Sequence, residues 1–207
     1  MHHLIRLSVL LYLFAPALVD AQVTVYFTRP VDTTLAIDAD NRATHDADVS
    51  ERVEAIIFEA KETIDMAMYN LNVNSVTEAL IAAHRRGVRV RVIGHVENIA
   101  NSASRFSQLA AAGVAVFANP RVASGQQQPL MHNKFIIIDA QASVAGADQT
   151  VVTGSWNATT LQTYDDANNV IVIRDTLVAD AYLREFEEMW GSSTSTPDPV
   201  VSRFGAS

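Results

Sequence analysis

Residues 131–139 read MHNKFIIID, in which a His-x-Lys pair runs directly into an apolar, β-branched segment that ends at an aspartate. Side chains alternate between the two faces of an extended strand, so the imidazole of His132 and the ammonium of Lys134 are expected on the same face. The apolar residues 135–138 suit a buried strand, which would hold both polar groups rigidly at its end. The sequence therefore predicts a chemical site where this strand begins.

A second strand end has the same character. Residues 151–157 read VVTGSWN, an apolar run followed by Ser155 and Asn157, and an extended chain would place these two side chains on one face. A hydroxyl and a carboxamide are neutral hydrogen-bonding groups. Together with an imidazole and a fixed cation, they suit a phosphorus centre that carries negative charge. The two strand ends predict phosphoryl chemistry.

The two motifs also carry a family resemblance. In order, they are His132-x-Lys134-(x)4-Asp139 and Gly154-Ser155-x-Asn157. The pair resembles the phospholipase D superfamily, including its small bacterial endonuclease branch, and the likeness extends from about residue 23 to residue 190. The resemblance implies an α-β-α sandwich. It also implies a covalent phosphohistidine at His132, with Lys134, Ser155 and Asn157 holding the phosphoryl group.

No metal ion or cofactor is expected at this site. Lysine is a poor ligand for divalent metals at neutral pH, and the sequence has no cysteine and no His-x-x-x-His spacing. An imidazole with an unperturbed pKa of about 6.5 is partly free base near neutrality and can attack phosphorus directly. Asp139, at the far end of the strand, is expected to satisfy backbone groups or a cation rather than take part in the reaction.

One histidine cannot easily act as the nucleophile and also protonate the departing alkoxide. Members of the resembled family bring two copies of the motif together, whereas this chain has one His-x-Lys pair. A homodimer whose two sites face each other across a two-fold axis would supply the second copy. Alternatively, the chain is a non-catalytic half of a protein with two motifs.

The group that orients the histidine differs from the family pattern. The endonuclease branch has a Glu before an Asn in the strand that follows Gly-Ser-x-Asn, and the matching dipeptide here is Asn168-Asn169. Asp165 or Asp166 could replace the missing carboxylate. Asn168 could also accept the same hydrogen bond without the charge, and it is a candidate substrate-binding residue for that reason.

Residues 1–21 read as a secretory signal peptide, with a weakly basic start, an apolar run and small or short residues before Gln22. The apolar run is shorter than the roughly 20 residues that a spanning helix needs, although a retained membrane anchor is the alternative. We expect a secreted or periplasmic protein with no integral membrane span in its mature form. The absence of cysteine agrees with this and leaves the fold without disulfides. The predicted organisation is a signal peptide over 1–21, a catalytic domain over 22–191 and a flexible tail over 192–207.

Composition bears on the substrate. The 207 residues are 49% hydrophobic, which suits one domain with a substantial core, and the net charge is -8. Proteins that track nucleic-acid phosphates concentrate Lys and Arg, so the acidic balance favours a phospholipid head-group ester as the substrate. The alternative is a metal-independent endonuclease that acts on DNA or RNA.

Periodicity predicts an α/β fold with a mixed sheet. Helices are predicted near 50–60, 75–86, 101–112 and 176–190, and strands near 23–27, 63–69, 88–93, 114–117 and 169–174, besides the two motif strands. Ser75 is the expected cap of the second helix. Residues 28–47 are expected to form an irregular connection in which His45 and Asp46 are solvated.

Several polar residues lie near the predicted strand ends. Arg89 and Arg91 alternate with valines, which indicates a solvated face or, alternatively, a face toward an acidic neighbour. Ligand sites often form at the carboxyl ends of strands in α/β proteins. The residues there are candidates for the rim of the site only, and they are Tyr69, Asn70, His95 and Glu97.

Overall fold

The computed structural model describes residues 21–39, 42–124, 126, 129–140, 142–144 and 146–204. All but the last residue of the predicted signal peptide lie outside this part of the chain. The strands are β1 (Gln22–Phe27), β2 (Thr44–His45), β3 (Thr63–Met68), β4 (Arg89–Gly94), β5 (Ala115–Ala118), β6 (Lys134–Ile138), β7 (Thr150–Gly154) and β8 (Asn169–Arg174). The helices are α1 (Val49–Glu59), α2 (Asn74–Arg85), α3 (Val96–Ile99), α4 (Phe106–Ala111), α5 (Thr160–Tyr164) and α6 (Thr176–Trp190).

The strands form one mixed sheet in the order β2-β1-β8-β7-β6-β3-β4-β5. Pairing is parallel between β1 and β2 and from β3 through β4 to β5. The remaining neighbours, including the consecutive strands β6, β7 and β8, pair antiparallel. This is the mixed sheet that the sequence predicts.

Both faces of the sheet are covered, which gives the predicted α-β-α sandwich. Successive side chains of a strand point to opposite faces, so a strand buried on both faces is apolar throughout. In β6, Ile136 and Ile138 pack in the core formed with α1, α2 and α4, whereas Phe135 and Ile137 pack in the core formed with α6. The two cores fix the position of the strand that carries Lys134.

The pairing directions bring several strand ends to one edge of the sheet. Strands β3, β4 and β7 end at this edge, and β6 and β8 begin there. The residues that adjoin these ends are Tyr69, His95, His132, Ser155 and Asn157. Residues from four separate segments of the chain therefore meet at one edge.

The predicted solvated face for Arg89 and Arg91 is wrong for Arg91, which is fully buried. Its register partner on β3 is Asp65, so the two side chains share a face, and Arg91 Nε donates to Asp65 Oδ1 over 2.5 Å. The guanidinium lies over the rings of Phe186 and Trp190, at 4.9 Å and 5.7 Å from their centroids. The acidic neighbour is thus the reason for the alternating arginines.

Residues 192–204 contact the domain, in contrast to the flexible tail that the sequence predicts. Arg91 Nη1 donates to the carbonyl of Thr194 over 3.0 Å, and Trp190 Nε1 donates to the same oxygen over 3.1 Å. The ring of Phe204 lies 5.9 Å from that of Phe117. The buried arginine needs acceptors beyond Asp65, and carbonyl groups of this segment supply them.

Four local predictions differ from the structure. Residues 28–47 contain a 3₁₀ turn and β2, which pairs with β1 and puts His45 in a strand. The N-cap of α2 is Val73, without a side-chain bond, rather than Ser75. Of the helix predicted over 101–112, only α4 is helical. Helix α5 is absent from the prediction because it is a single short turn with no clear apolar repeat.

Within the described part of the chain, no helix is both long and apolar enough to cross a membrane.

Candidate active site

His132 and Lys134 lie at the beginning of β6. His132 precedes the strand and is exposed, whereas Lys134 is its first residue and is partly buried. Lys134 Nζ donates to the backbone carbonyl of His132 over 2.9 Å and lies 5.3 Å from the centroid of the Tyr69 ring. The ring of Tyr69 also meets the ring of His132 edge-on at 4.8 Å. Tyr69 therefore holds the two motif residues together.

Ser155 lies just beyond the end of β7. Its Oγ donates to Asn168 Oδ1 over 2.9 Å and accepts from the backbone N–H of Asn169 over 3.1 Å. The structure therefore places the Asn168 amide beside Ser155, and that amide oxygen already accepts the serine proton. Gly154 permits this arrangement, since its φ is 136° and a Cβ there would lie 2.3 Å from the Asn169 carbonyl oxygen.

Asn157 is buried, whereas Ser155 is exposed, so the prediction that they share one face of a strand is wrong. Strand β7 ends at Gly154, and the alternation of side chains ends with it. Asn157 Nδ2 donates to Gln162 Oε1 over 3.0 Å, and Asn157 Oδ1 accepts from the backbone N–H of Asn70 over 3.3 Å. These bonds leave one of the two Nδ2 hydrogens for a substrate oxygen.

A groove of about 440 Å³ opens beside the two motif residues. His132, Lys134 and Gly154 line it on the side of the sheet, and Tyr182 and Glu185 of α6 line the opposite wall. Among the described residues, no group of three or more His, Asp or Glu side chains could hold a metal ion. The groove thus offers a substrate one imidazole, one ammonium, an aromatic wall and a carboxylate.

Burial and neighbouring groups change the pKa values of the two motif residues. Burial lowers the pKa of His132, and electrostatic interaction with Lys134 and with His95 lowers it further. Burial also lowers the pKa of Lys134. A lowered pKa keeps an imidazole in its free-base form to more acidic pH, which is the form that a nucleophile requires. The environment therefore favours a neutral His132 beside a cation.

Two of the rim candidates belong to the centre of the site. Tyr69 contacts both motif residues, and His95 stacks on the Tyr69 ring with their centroids 5.2 Å apart. His95 is fully buried. Their positions at strand ends are visible in the sequence, but the pairing order that joins β3 to both β4 and β6 is not.

Asp139 lies at the opposite end of β6 from Lys134. Its carboxylate accepts three backbone N–H groups, from Lys61 over 2.8 Å, from Glu62 over 2.7 Å and from Thr63 over 2.9 Å. Asp139 lies five residues along the extended chain from Lys134, so this carboxylate is roughly 17 Å of strand away from that side chain. The geometry agrees with a structural role for the last residue of the motif.

Replacement of Asp139 with alanine is expected to lower the free energy of unfolding by about 2–3 kcal/mol, because three backbone N–H groups lose a charged acceptor that is itself buried. The turnover number should stay within about twofold of the wild-type value at a temperature where the variant is folded. Urea unfolding and steady-state kinetics test both statements. Asp148→Ala is the matched control, since Asp148 is exposed at the same edge and should cost under about 0.5 kcal/mol. A stable but inactive Asp139→Ala protein would contradict the structural role.

The mixed sheet between two helical layers, with paired motifs at one edge, defines the phospholipase D class of α/β proteins. The family model described as "Cardiolipin synthase, PLD-like domain" matches residues 53–190, which is more than half of the chain. The chain therefore belongs to the phospholipase D superfamily.

Two curated relatives illustrate the similarity. The chain is 30% identical to a mitochondrial cardiolipin hydrolase of Xenopus tropicalis over 146 residues, which are 70% of this chain and 63% of that protein. It is 34% identical to a phospholipase D of Rickettsia prowazekii over 146 residues, which are 70% of this chain and 62% of that protein. The chain thus spans less than two thirds of either relative.

Solved structures agree on the fold. Nuc of Salmonella typhimurium, a phospholipase D family member, superposes with a TM-score of 0.62 at 23% identity and covers 84% of this chain and 96% of Nuc. NucT of Helicobacter pylori superposes with a TM-score of 0.64 at 18% identity and covers 84% of this chain and 98% of NucT. The predicted family and fold are confirmed.

Proposed function

We propose that this chain is a phosphodiester hydrolase of the phospholipase D type that cleaves phospholipid head-group esters through a covalent phosphohistidine at His132. The observation that carries the proposal is the juxtaposition of His132 and Lys134 around the ring of Tyr69, in a groove open to a substrate. The low pKa of His132 supports it, because the free base is the attacking form.

The reaction has two steps. An imidazole nitrogen of His132 attacks phosphorus, a P–N bond forms, and the P–O bond to the leaving alcohol breaks as an acid protonates the departing oxygen. Water then attacks the phosphohistidine, a base takes its proton, and His132 is released with the phosphomonoester product. Lys134 neutralises the non-bridging oxygens, which carry the most charge in the transition state, and Asn157 hydrogen-bonds them. Ser155 joins them when its hydroxyl turns from Asn168 Oδ1 toward the phosphoryl group.

Three observations support a lipid substrate over a nucleic acid. The relatives that the chain resembles at 30% and 34% identity are called a cardiolipin hydrolase and a phospholipase D. The net charge of -8 opposes a polyanion. Glu185 lines the groove, and its carboxylate would repel the second phosphate of a nucleic-acid strand.

The proposed oligomer is a homodimer with a shared site, in which the second His132 supplies the acid and later the base. Two identical groups that face each other lose their protons at different pH values. One imidazole would therefore be the neutral nucleophile and the other the protonated acid. Sedimentation tests this, since a protein that is monomeric at assay concentration and fully active would refute the shared site. Residues 1–21 support export, and a secreted form beginning at Gln22 is the expected product of processing.

The deciding assay uses purified protein in excess chelator with vesicles of phosphatidylcholine, vesicles of cardiolipin, and single-stranded DNA as separate substrates. Release of phosphatidate, or of phosphatidylglycerol from cardiolipin, is the expected result. Cleavage of DNA without lipid hydrolysis would establish the endonuclease instead. Failure on all three substrates would favour the non-catalytic half of a longer protein.

The pH dependence of kcat/KM follows from the two shifted groups. His132 must be deprotonated to attack, and its lowered pKa extends that state downward, so the acid limb is expected below pH 6.5. Lys134 must be protonated to bind phosphate, and its lowered pKa places the loss of that proton below pH 10.5. In the shared-site dimer the second His132 must keep its proton to act as the acid, and because it loses that proton at lower pH than Lys134 it sets the basic limb. Initial rates measured between about pH 4 and pH 10 test both limbs. An acid limb at or above pH 6.5 would contradict the environment described for His132.

A further inference from the structure

His95 is a buried imidazole for which the proposed reaction has no use. Its side chain is 1% exposed, and neither ring nitrogen has a hydrogen-bond partner among the described residues. A neutral imidazole carries one N–H donor, and burying a donor without a partner destabilises the fold. A phenyl ring would stack equally well on Tyr69 without this cost. The nitrogens of His95 therefore need an explanation beyond packing.

The position of His95 supplies one. Its ring stacks on Tyr69 with centroids 5.2 Å apart and planes inclined by 26°. The same tyrosine ring meets His132 edge-on at 4.8 Å and lies 5.3 Å from Lys134 Nζ. One aromatic ring thus separates the buried imidazole from both motif residues.

The backbone around this stack is fixed on both sides. The N–H of Tyr69 donates to the carbonyl of Asn133 over 2.9 Å, between the two motif residues. The carbonyl of Tyr69 accepts from Asn98 Nδ2 over 2.7 Å, in the segment that follows His95. A movement of the His95 ring would therefore displace the Tyr69 ring, and the displaced Tyr69 ring would in turn displace His132 and Lys134.

The charged and titratable groups around His95 are few. Glu97 Oε2 lies 3.8 Å from His95 Nε2, and the Glu97 side chain is 60% exposed. Tyr69 faces the ring directly, and beyond it lie His132 and Lys134.

We propose that His95 is a positioning residue of the active site, which holds Tyr69 against His132 and Lys134 and keeps a protonatable imidazole within range of their charges. It acts through Tyr69 and does not touch the substrate. Through this contact His95 favours the free-base form of His132, so that His132 remains a nucleophile to lower pH. The direction of the pKa shift at His132 agrees, since His95 contributes to its lowering.

The test is an NMR titration of the histidine ring protons in wild-type protein and in His95→Phe, which keeps the stacking ring and removes both nitrogens. The two imidazoles lie within about 10 Å through Tyr69, so the midpoint of the His132 titration is expected to rise by about 0.5 pH unit. His95→Gln, which keeps hydrogen-bonding atoms but has no titrating group, should show the same rise. His84→Phe is the matched control and should leave the His132 midpoint unchanged.

Kinetics give the second readout, and this one alone rests on the proposed function. In His95→Phe the acid limb of kcat/KM should move to higher pH by the same amount as the NMR midpoint. His95→Ala, which also removes the stack, should lower kcat by a further factor of about 10, with KM within about threefold of wild type. An unchanged His132 titration in both His95→Phe and His95→Gln would overturn the inference, whether or not the chain hydrolyses phosphodiesters. Absence of turnover with a shifted titration would instead overturn the proposed function.

Discussion

Replacement of His132 with alanine is expected to lower phosphodiesterase turnover by at least about 10³-fold, because the reaction loses the group that forms the covalent intermediate. The change should leave the fold intact, since His132 is exposed and precedes its strand. Initial rates on vesicles, together with the thermal midpoint of unfolding, measure the two effects separately. A thermal midpoint within about 2 °C of wild type is expected.

His45→Ala is the matched control for this prediction. His45 is also exposed and also lies at the end of a strand. It belongs to β2, the outermost strand of the sheet, which β1, β8 and β7 separate from β6. Its replacement should change turnover by less than about twofold. If His132→Ala retains turnover comparable with this control, the histidine is not the nucleophile and the proposed mechanism fails.

The second large effect is expected at Asp65, whose replacement with alanine should lower the free energy of unfolding by about 3–5 kcal/mol. Asp65 and Arg91 are 1% and 0% exposed, so removal of the carboxylate leaves a buried guanidinium without its partner. The Glu187 carboxylate lies 3.7 Å from Arg91 Nη2, which is too far for a hydrogen bond. It therefore cannot replace the 2.5 Å hydrogen bond between Arg91 Nε and Asp65. Urea unfolding at neutral pH provides the measurement.

A surface ion pair supplies the comparison. Arg52 and Asp46 are joined over 2.7 Å, but the Arg52 side chain is 60% exposed, and Asp46→Ala should cost under about 1 kcal/mol. The double change Asp65→Leu with Arg91→Met removes both charges and should restore most of the lost stability. A cost below about 1 kcal/mol for Asp65→Ala alone would mean that Arg91 is not held by this pair.

Periodicity was sufficient for the main elements of the fold. Helix α6 begins and ends at the predicted residues because its apolar stripe recurs at helical spacing and Gly191, with a φ of 81°, closes it. Strand β6 was equally clear, since a short run of β-branched residues that is apolar on both faces is typical of a central strand. These signals are local, and local signals are what a single sequence carries.

The error at Arg91 has a different origin. The alternation of Arg89 and Arg91 with valines shows that β4 has two unlike faces, but it cannot show what covers the polar face. In the structure, α6 covers it with Phe186 and Trp190, which lie about a hundred residues later in the chain. A contact between residues so far apart in the chain cannot be recognised in the local alternation of polar and apolar residues.

Some residues of the candidate site could be predicted from local sequence patterns, and others could not. The motifs point to His132, Lys134, Ser155 and Asn157 because their spacing is local, and the structure gathers all four at one edge of the sheet. The contribution of Tyr69 and His95 depends on the neighbours of β3 in the sheet, which follow from the fold as a whole. Their position at the centre of the site, rather than at its rim, could therefore not be predicted from the sequence.

The central claim is that His132 becomes covalently phosphorylated during turnover, and rapid quenching in alkaline denaturant, which preserves the acid-labile P–N bond, tests it most directly. Protein mixed with a short-chain phosphatidylcholine in excess chelator, quenched within milliseconds to seconds and digested at neutral to alkaline pH, is analysed by mass spectrometry. The account predicts a phosphatidyl adduct on the peptide that contains His132, and its loss in His132→Ala. Substrate turnover without any adduct on that peptide, or with an adduct on another residue, would contradict the account.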